Sequence, residues 1–257
     1  MMTKIGNTLK NSWLPIATAL LILVLWEFIV KVFHVPQYVL PPFSNVLEEF
    51  TENFPKIWQH TVYTAKEILV GYVISVAIAV PLSIITAFSW FLRKTLYPAA
   101  VTFEMVPKIA FAPIFVIWLG FGFSSKMVIV FLVCFFPILI NSIFGFVSLS
   151  NELTYFAQST GAGSIHIFWK IRLPAAAPQI FIGLKGAAIN ATVGAIIAEW
   201  VGGSSGLGYY IQIASGDFRM DLAIACIIML TALGLLLYGI ILLLEKQVLY
   251  WHISQQR

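Results

Sequence analysis

Six long apolar runs dominate this chain and leave few folds open to it. A hydrocarbon core about 30 Å thick takes about 20 apolar residues per helical crossing. The runs fall at about 13–33, 61–90, 97–119, 124–146, 180–201 and 222–244, the second long enough to tilt or to project beyond a bilayer. Runs of this length specify helices, because barrel strands would read as shorter, alternating segments between turns. Composition agrees: 60% of the 257 residues are hydrophobic and 10% charged, against roughly 45–50% and about 25% in soluble domains. The expectation is an all-α membrane protein, a single domain over 1–257 with six transmembrane helices.

Lys4 and Lys10 precede the first run as an n-region precedes a signal peptide's apolar segment. The run exceeds the 7–15 residues of such a segment, and no small-x-small cleavage site follows it, so it reads as a span. Basic residues set the orientation. With both termini cytoplasmic, Lys4, Lys10, Arg93, Lys94, Lys170, Arg172, Lys246 and Arg257 lie inside, against Lys31, Lys56, Lys66, Lys126 and Arg219 outside. The pI near 9.0 then reflects topology and calls for no nucleic-acid partner. Cys134 and Cys226 fall inside spans without metal-ligand spacing and read as packing residues.

Three polar stretches separate the runs. In the first, Pro36 to His60, Pro41-Pro42 precedes Ser44, Val46, Leu47, Phe50 and Phe54, the pattern of a short amphipathic helix capped by Ser44. Glu48, Glu49 and Glu52 form its acidic face, expected to be solvated outside the membrane. The cytoplasmic stretch 147–179 offers Ser150 and Asn151 as caps, and then a second short helix, Ser164 to Arg172, expected to stop before Pro174. Its Ile165, Phe168 and Trp169 lie at helical spacing, an apolar stripe that asks for a partner. The third stretch, Gly202 to Asp221, carries Gly202-Gly203-Ser204-Ser205-Gly206-Leu207-Gly208. It is no phosphate loop, since the chain holds no Gly-Lys dipeptide, and it reads as a flexible connection or re-entrant lining.

Within the cytoplasmic stretch, Ala157 and Gly161 are followed after nine residues by Ile171-Arg172-Leu173-Pro174. This resembles the loop signature of ABC-importer permeases, Glu-Ala-Ala-x3-Gly-x9-Ile-x-Leu-Pro, with Gly161, Ile171, Leu173 and Pro174 in register. Tyr155 and Phe156 depart from it, standing where the signature has Glu and the first Ala. Leu40-Pro41-Pro42-Phe43, Ile109-Ala110-Phe111-Ala112-Pro113 through Trp118-Leu119-Gly120, and Ala198-Glu199-Trp200-Val201-Gly202-Gly203 extend the likeness to the nitrate, sulfonate, taurine and thiamine-precursor branch. The last motif looks closest to permeases for thiamine pyrimidine precursors or riboflavin.

The resemblance implies a type I importer permease core in the inner membrane. It implies a second permease copy, two ATPase subunits that carry ATP and magnesium, and an extracytoplasmic solute-binding protein. It also implies a coupling helix at about Asn151 to Arg172 that docks on the ATPase, through Tyr155, Ala157, Gly161, Ile171, Leu173 and Pro174. The missing glutamate puts in doubt any salt bridge made from position 155. No cofactor is implied in this chain, and no catalytic or metal-binding residue.

Charge inside a membrane costs about 2.5–3.5 kcal/mol on insertion scales and is a functional hypothesis by default. Glu104 and Lys108 sit at i and i+4 with Pro107 between them to kink the third span, and Pro113 adds a second break. They are candidates for the translocation path, or else a pair that fixes packing. Glu199 beside Trp200 belongs at an outer gate or binding-protein surface, or at an interface set by Trp200. Asn190, with Asn141 and Thr192, offers hydrogen bonds across helices or to a ring-shaped substrate. Glu27 reads as a helix–helix contact. A sulfonate, taurine or nitrate permease is the neighbouring reading. A proton-coupled transporter using Glu104, Glu27 or Glu199 would leave the loop signature unexplained. An enzyme is disfavoured because His34, His60, His166 and His252 are scattered over loops and ends.

Overall fold

The computed structural model describes residues 2–149, 157, 159 and 161–250. Its helices are α1 (Met2–Val32), α2 (Phe43–Glu52), α3 (Phe54–Phe88), α4 (Trp90–Met105), α5 (Ala112–Leu119), α6 (Phe123–Val147), α7 (Ser164–Ile167), α8 (Leu173–Gly202), α9 (Leu207–Gly216) and α10 (Met220–Val248). A 3-10 turn, Lys108–Phe111, leads into α5, and a π-helical stretch, Phe168–Arg172, joins α7 to α8. Among the described residues five helices are long and apolar enough to cross a membrane, or six if the bent pair α4 and Lys108–Leu119 is one span. The caps Ser150 and Asn151, and Tyr155 with Phe156, lie outside the described residues.

The chain forms two compact units, Met1–Trp58 with Tyr210–Ile228, and Gln59–Tyr209 with Met229–Arg257. In the first, Trp26 Nε1 donates to the Pro41 carbonyl at 3.1 Å, and its ring meets Phe43 at 5.6 Å. Ser44 does not cap α2. Its N–H and hydroxyl instead both donate to the Glu27 carboxylate, at 3.1 and 2.8 Å, so α1 supplies the anion that the start of α2 needs. Lys31 closes on the same carboxylate at 2.6 Å. The acidic face of α2 is not uniformly solvated: Glu48 and Glu52 are exposed, but Glu49 is buried and paired with Arg219 and Asn53.

The second unit is built on α6 packed along α8. Ala187, Ala188, Ala191 and Ala195 of α8 are fully buried, and small side chains are what let helix backbones close in a membrane. Gly145 and Gly183 mark close points of that seam where a side chain would meet backbone, since a Cβ would lie 2.8 Å from the Ala176 carbonyl oxygen at the first and 3.0 Å from the Pro137 carbonyl oxygen at the second. Ile68 and Tyr72 of α3, and Leu237 and Ile241 of α10, complete the core. The Tyr72 hydroxyl reaches the Leu184 carbonyl at 2.9 Å.

Two prolines act differently from one another. Before Pro107, Val106 is extended (φ −69°, ψ 130°), as a residue preceding proline prefers. The third apolar run therefore breaks there and turns through 84°, so 97–119 is not one straight span. Before Pro174, Leu173 stays helical (φ −65°, ψ −47°), and the chain runs without a stop from Ser164 to Gly202. The helix expected to end at Arg172 continues because the π stretch drops the ordinary register just where a proline ring would meet the carbonyl four residues back. The Gly202 to Asp221 stretch is likewise more ordered than a flexible connection, since it contains α9.

Candidate translocation site and coupling surface

Glu104 lies in the last turn of α4 and Lys108 opens the 3-10 turn beyond the break. Although the helix has ended between them, Lys108 Nζ stands 2.7 Å from Glu104 Oε2 and 2.9 Å from the Glu104 carbonyl. The ammonium thus neutralises its partner and satisfies one of the carbonyls left open at the end of α4. It also lies 5.7 Å from the Phe136 ring centroid, within cation–π range. Phe136 and Phe103 stack at 5.9 Å. With Phe111, Phe115, Val106 and Leu132 they and Lys108 line a cavity of about 210 Å³ beside the break. Such a place accepts a flat apolar ring and offers one charged group, already paired.

The glycine-rich loop before α9 has a different chemistry. The N–H groups of Gly206, Leu207 and Gly208 are directed respectively at His60 Nδ1 (3.1 Å), Thr64 Oγ1 (2.8 Å) and Glu199 Oε2. Thr64 donates onward to Glu199 Oε1 at 2.6 Å. Lys126 binds the Ser205 carbonyl at 3.1 Å and Glu67 Oε1 at 2.7 Å. Amides at a helix start attract an anion, and here the chain's own Glu199 carboxylate takes the Gly208 amide while His60 and Thr64 take the two before it. Gly206 (φ +110°) is required twice over, because a Cβ there would fall on the Glu199 carboxylate.

Glu199 is fully buried and so lines no open path within this chain. Trp200 remains half exposed and ties its indole N–H to the Gly208 carbonyl at 3.0 Å. Asn190 is half-buried on α8. Asn141 and the Thr192 hydroxyl bond within their own helices, to Pro137 and Ile189.

On the coupling segment, Ala157 is buried, and Gly161 (φ +81°) is exposed with open space around it. Phe168 packs against Phe88 and Phe146 at 5.8 and 6.2 Å. Ile171, Leu173 and Pro174 are half-buried, whereas Ile165 and Trp169 project outward. The structure thus fixes one end of the segment by Phe168 and leaves an apolar edge uncovered.

Among the pairs that sequence reasoning missed, two tie one long apolar helix to another. Lys126, expected on the outer side at the start of the fourth run, is buried in α6 against Glu67 of α3. Lys185 of α8 holds both carboxylate oxygens of Glu245 of α10 at 2.8 Å. Each is a lone charge in an apolar run, which is signal enough to ask for a partner, but the partners are 59 and 60 residues away. Among the described residues no cluster of His, Cys, Asp or Glu suits a metal.

The family model of binding-protein-dependent transport system inner membrane components matches residues 79–250, and the chain belongs to this family. It is 30% identical to the formylaminopyrimidine transport permease of Halalkalibacterium halodurans, over 94% of this chain and 96% of that one. It is 32% identical to the riboflavin transport system permease of Chloroflexus aurantiacus, over 94% and 90%. In fold it is similar to the inward-facing MetNI methionine ABC transporter, with a TM-score of 0.59 at 17% identity, covering 76% of this chain and 95% of that one. The protein is a multi-pass inner-membrane permease subunit of an ABC importer, partnered by a separate ATPase and a solute-binding protein.

Proposed function

We propose that this permease imports a small organic nutrient built on a single aromatic ring, of the class of thiamine pyrimidine precursors. The observation that carries this reading is the phenylalanine-lined cavity beside the broken span, whose one charged side chain is already neutralised by Glu104. Its volume of about 210 Å³ lies below the roughly 300–1,000 Å³ of sites for drug-sized ligands. That favours a lone pyrimidine over a flavin. A sulfonate or nitrate would need a cation free to pair with it. The relatives' names, one a formylaminopyrimidine permease and one a riboflavin permease, support the ring class.

In this reading two copies of the chain pair, with both termini and the 147–179 segment facing the cytoplasm. Each copy meets an ATPase subunit, and those subunits hold ATP and magnesium. Closure of the ATPases draws the segments carrying Tyr155, Ala157, Gly161, Ile171, Leu173 and Pro174 together. The spans then rock about the break at Pro107, where Glu104, Lys108 and Asn190 face the path. Bent, interrupted helices are the elements that line such paths in transporters.

The test is ATP-dependent uptake into proteoliposomes holding the permease, its ATPase and its binding protein. Labelled formylaminopyrimidine, riboflavin and taurine are offered in parallel. Accumulation of the pyrimidine is expected, and selective accumulation of taurine would overturn the reading.

A further inference from the structure

The glycine-rich loop stands at the far end of a single rod. The chain is helical without a stop from Ser164 to Gly202, roughly 57 Å at 1.5 Å per residue, which exceeds a hydrocarbon core about 30 Å thick. The outward Ile165 and Trp169 are at one end of that rod and the loop of residues 203–206 follows the other. Whatever fixes the loop therefore fixes the end of α8.

One side chain that grips the loop differs from the rest. Gly206 is buried and donates its N–H to His60 Nδ1 at 3.1 Å. One turn further along α3, Thr64 Oγ1 takes the Leu207 N–H at 2.8 Å. An imidazole nitrogen accepts only while it bears no proton, so the Gly206 contact requires the neutral ring with its hydrogen on Nε2. Protonation puts an N–H at Nδ1, donor against donor, and strands a buried amide. The ionisable groups around the ring come from four helices. Tyr209 of α9 lies 6.2 Å away between ring centroids. Glu199 of α8 accepts from Thr64 and from the Gly208 amide. Glu67 of α3 pairs with Lys126 of α6, which also binds the Ser205 carbonyl. On α3 itself, Lys56 and Tyr63 lie about one turn to either side and are exposed. Of these types only histidine ordinarily changes charge between about pH 5 and 8.

We infer that His60 is a positioning residue of the transport cycle: its neutral ring holds the Gly206 amide, and with it the end of α8, and protonation frees the loop and slows turnover in acid. This role rests on the coupling function of the segment at the other end of α8 and is independent of the substrate.

The test takes the permease–ATPase complex in lipid nanodiscs, reading amide exchange of residues 203–209 by mass spectrometry and ATP hydrolysis in the same samples. Exchange, corrected for its intrinsic dependence on pH, should rise roughly tenfold in the parent between about pH 8 and about pH 5.5. His60→Asn sets an amide oxygen near the place of Nδ1 and does not titrate. Its loop should stay protected at both pH values, and in acid it should hydrolyse ATP several-fold faster than the parent. His60→Leu, with no acceptor, should exchange fast at both; the co-purified ATPase shows that each variant has folded, and the parent and His60→Asn decide the matter if His60→Leu does not assemble. A parent loop that stays protected in acid would overturn the inference. So would a His60→Asn loop that opens along with the parent's, which would make Glu199 or Glu67 the titrating group. Loop opening in the parent with hydrolysis equal to that of His60→Asn would leave the His60 contact standing and overturn its part in turnover.

Discussion

The carboxylate of Glu199 occupies the space that a side chain on Gly206 would need, and both oxygens are committed there, to Thr64 and to the Gly208 amide. Gly206→Ala is therefore expected to destabilise the permease. The backbone conformation alone costs about 1–3 kcal/mol, before the clash with the carboxylate. A thermal melt of the detergent-purified complex checks this, and a midpoint equal to the parent's would show that the loop relaxes freely.

Glu67 and Lys126 are 3% and 4% exposed at their side chains. Removing one member strands the other, at about 3–5 kcal/mol, whereas replacing both by apolar groups is often far cheaper. Lys126→Met should thus lower stability more than Lys126→Met combined with Glu67→Leu. A double-mutant cycle on unfolding midpoints would count against a paired role if the two single effects simply added.

Exchanging the charges of the broken span, Glu104→Lys with Lys108→Glu, keeps an ion pair but moves the ammonium away from Phe136. Assembly should survive while uptake efficiency falls by about tenfold, in line with a contact worth about 1–2 kcal/mol. Full transport by the swapped protein would reduce the pair to a packing device.

Phe136→Ala opens the aromatic cavity and removes a stacking partner. Half-saturating substrate concentration should rise by roughly tenfold, from lost stacking and apolar contact of about 1–3 kcal/mol. Concentration-dependent uptake measures it, and an unchanged value would place the substrate elsewhere.

The spans were legible in the sequence because apolar length depends only on neighbours along the chain, as in residues 13–33 and 222–244. The break at Pro107 was legible for the same reason, and Glu104 with Lys108 are close enough in sequence to pair across it. Local rules failed where tertiary packing decided. Pro174 does not end a helix, because the π stretch before it accommodates the ring. Ser44 turns to Glu27 and does not cap α2. Lys126, at the outer start of its run, is buried against a partner on α3 that no local pattern announces. Glu199 stands out in the sequence as an acid at the end of an apolar run, but its partners are the Gly208 amide of its own downstream loop and Thr64, which only folding brings together.

The account turns on the segment that ends in the exposed Gly161 and the outward Ile165 and Trp169. Gly161 sits at φ +81° with open space around it, so a β-branched residue there strains the backbone without crowding the core. The most direct measurement is co-purification of this chain with its ATPase subunit, parent against Gly161→Val, with ATP hydrolysis followed in the reconstituted complex. The account predicts a stable, hydrolysing complex for the parent and loss of ATPase binding for the variant, with the spans still folded. An ATPase that binds both alike would place the coupling surface elsewhere. A parent that binds none, yet moves solute down a proton gradient, would contradict the account.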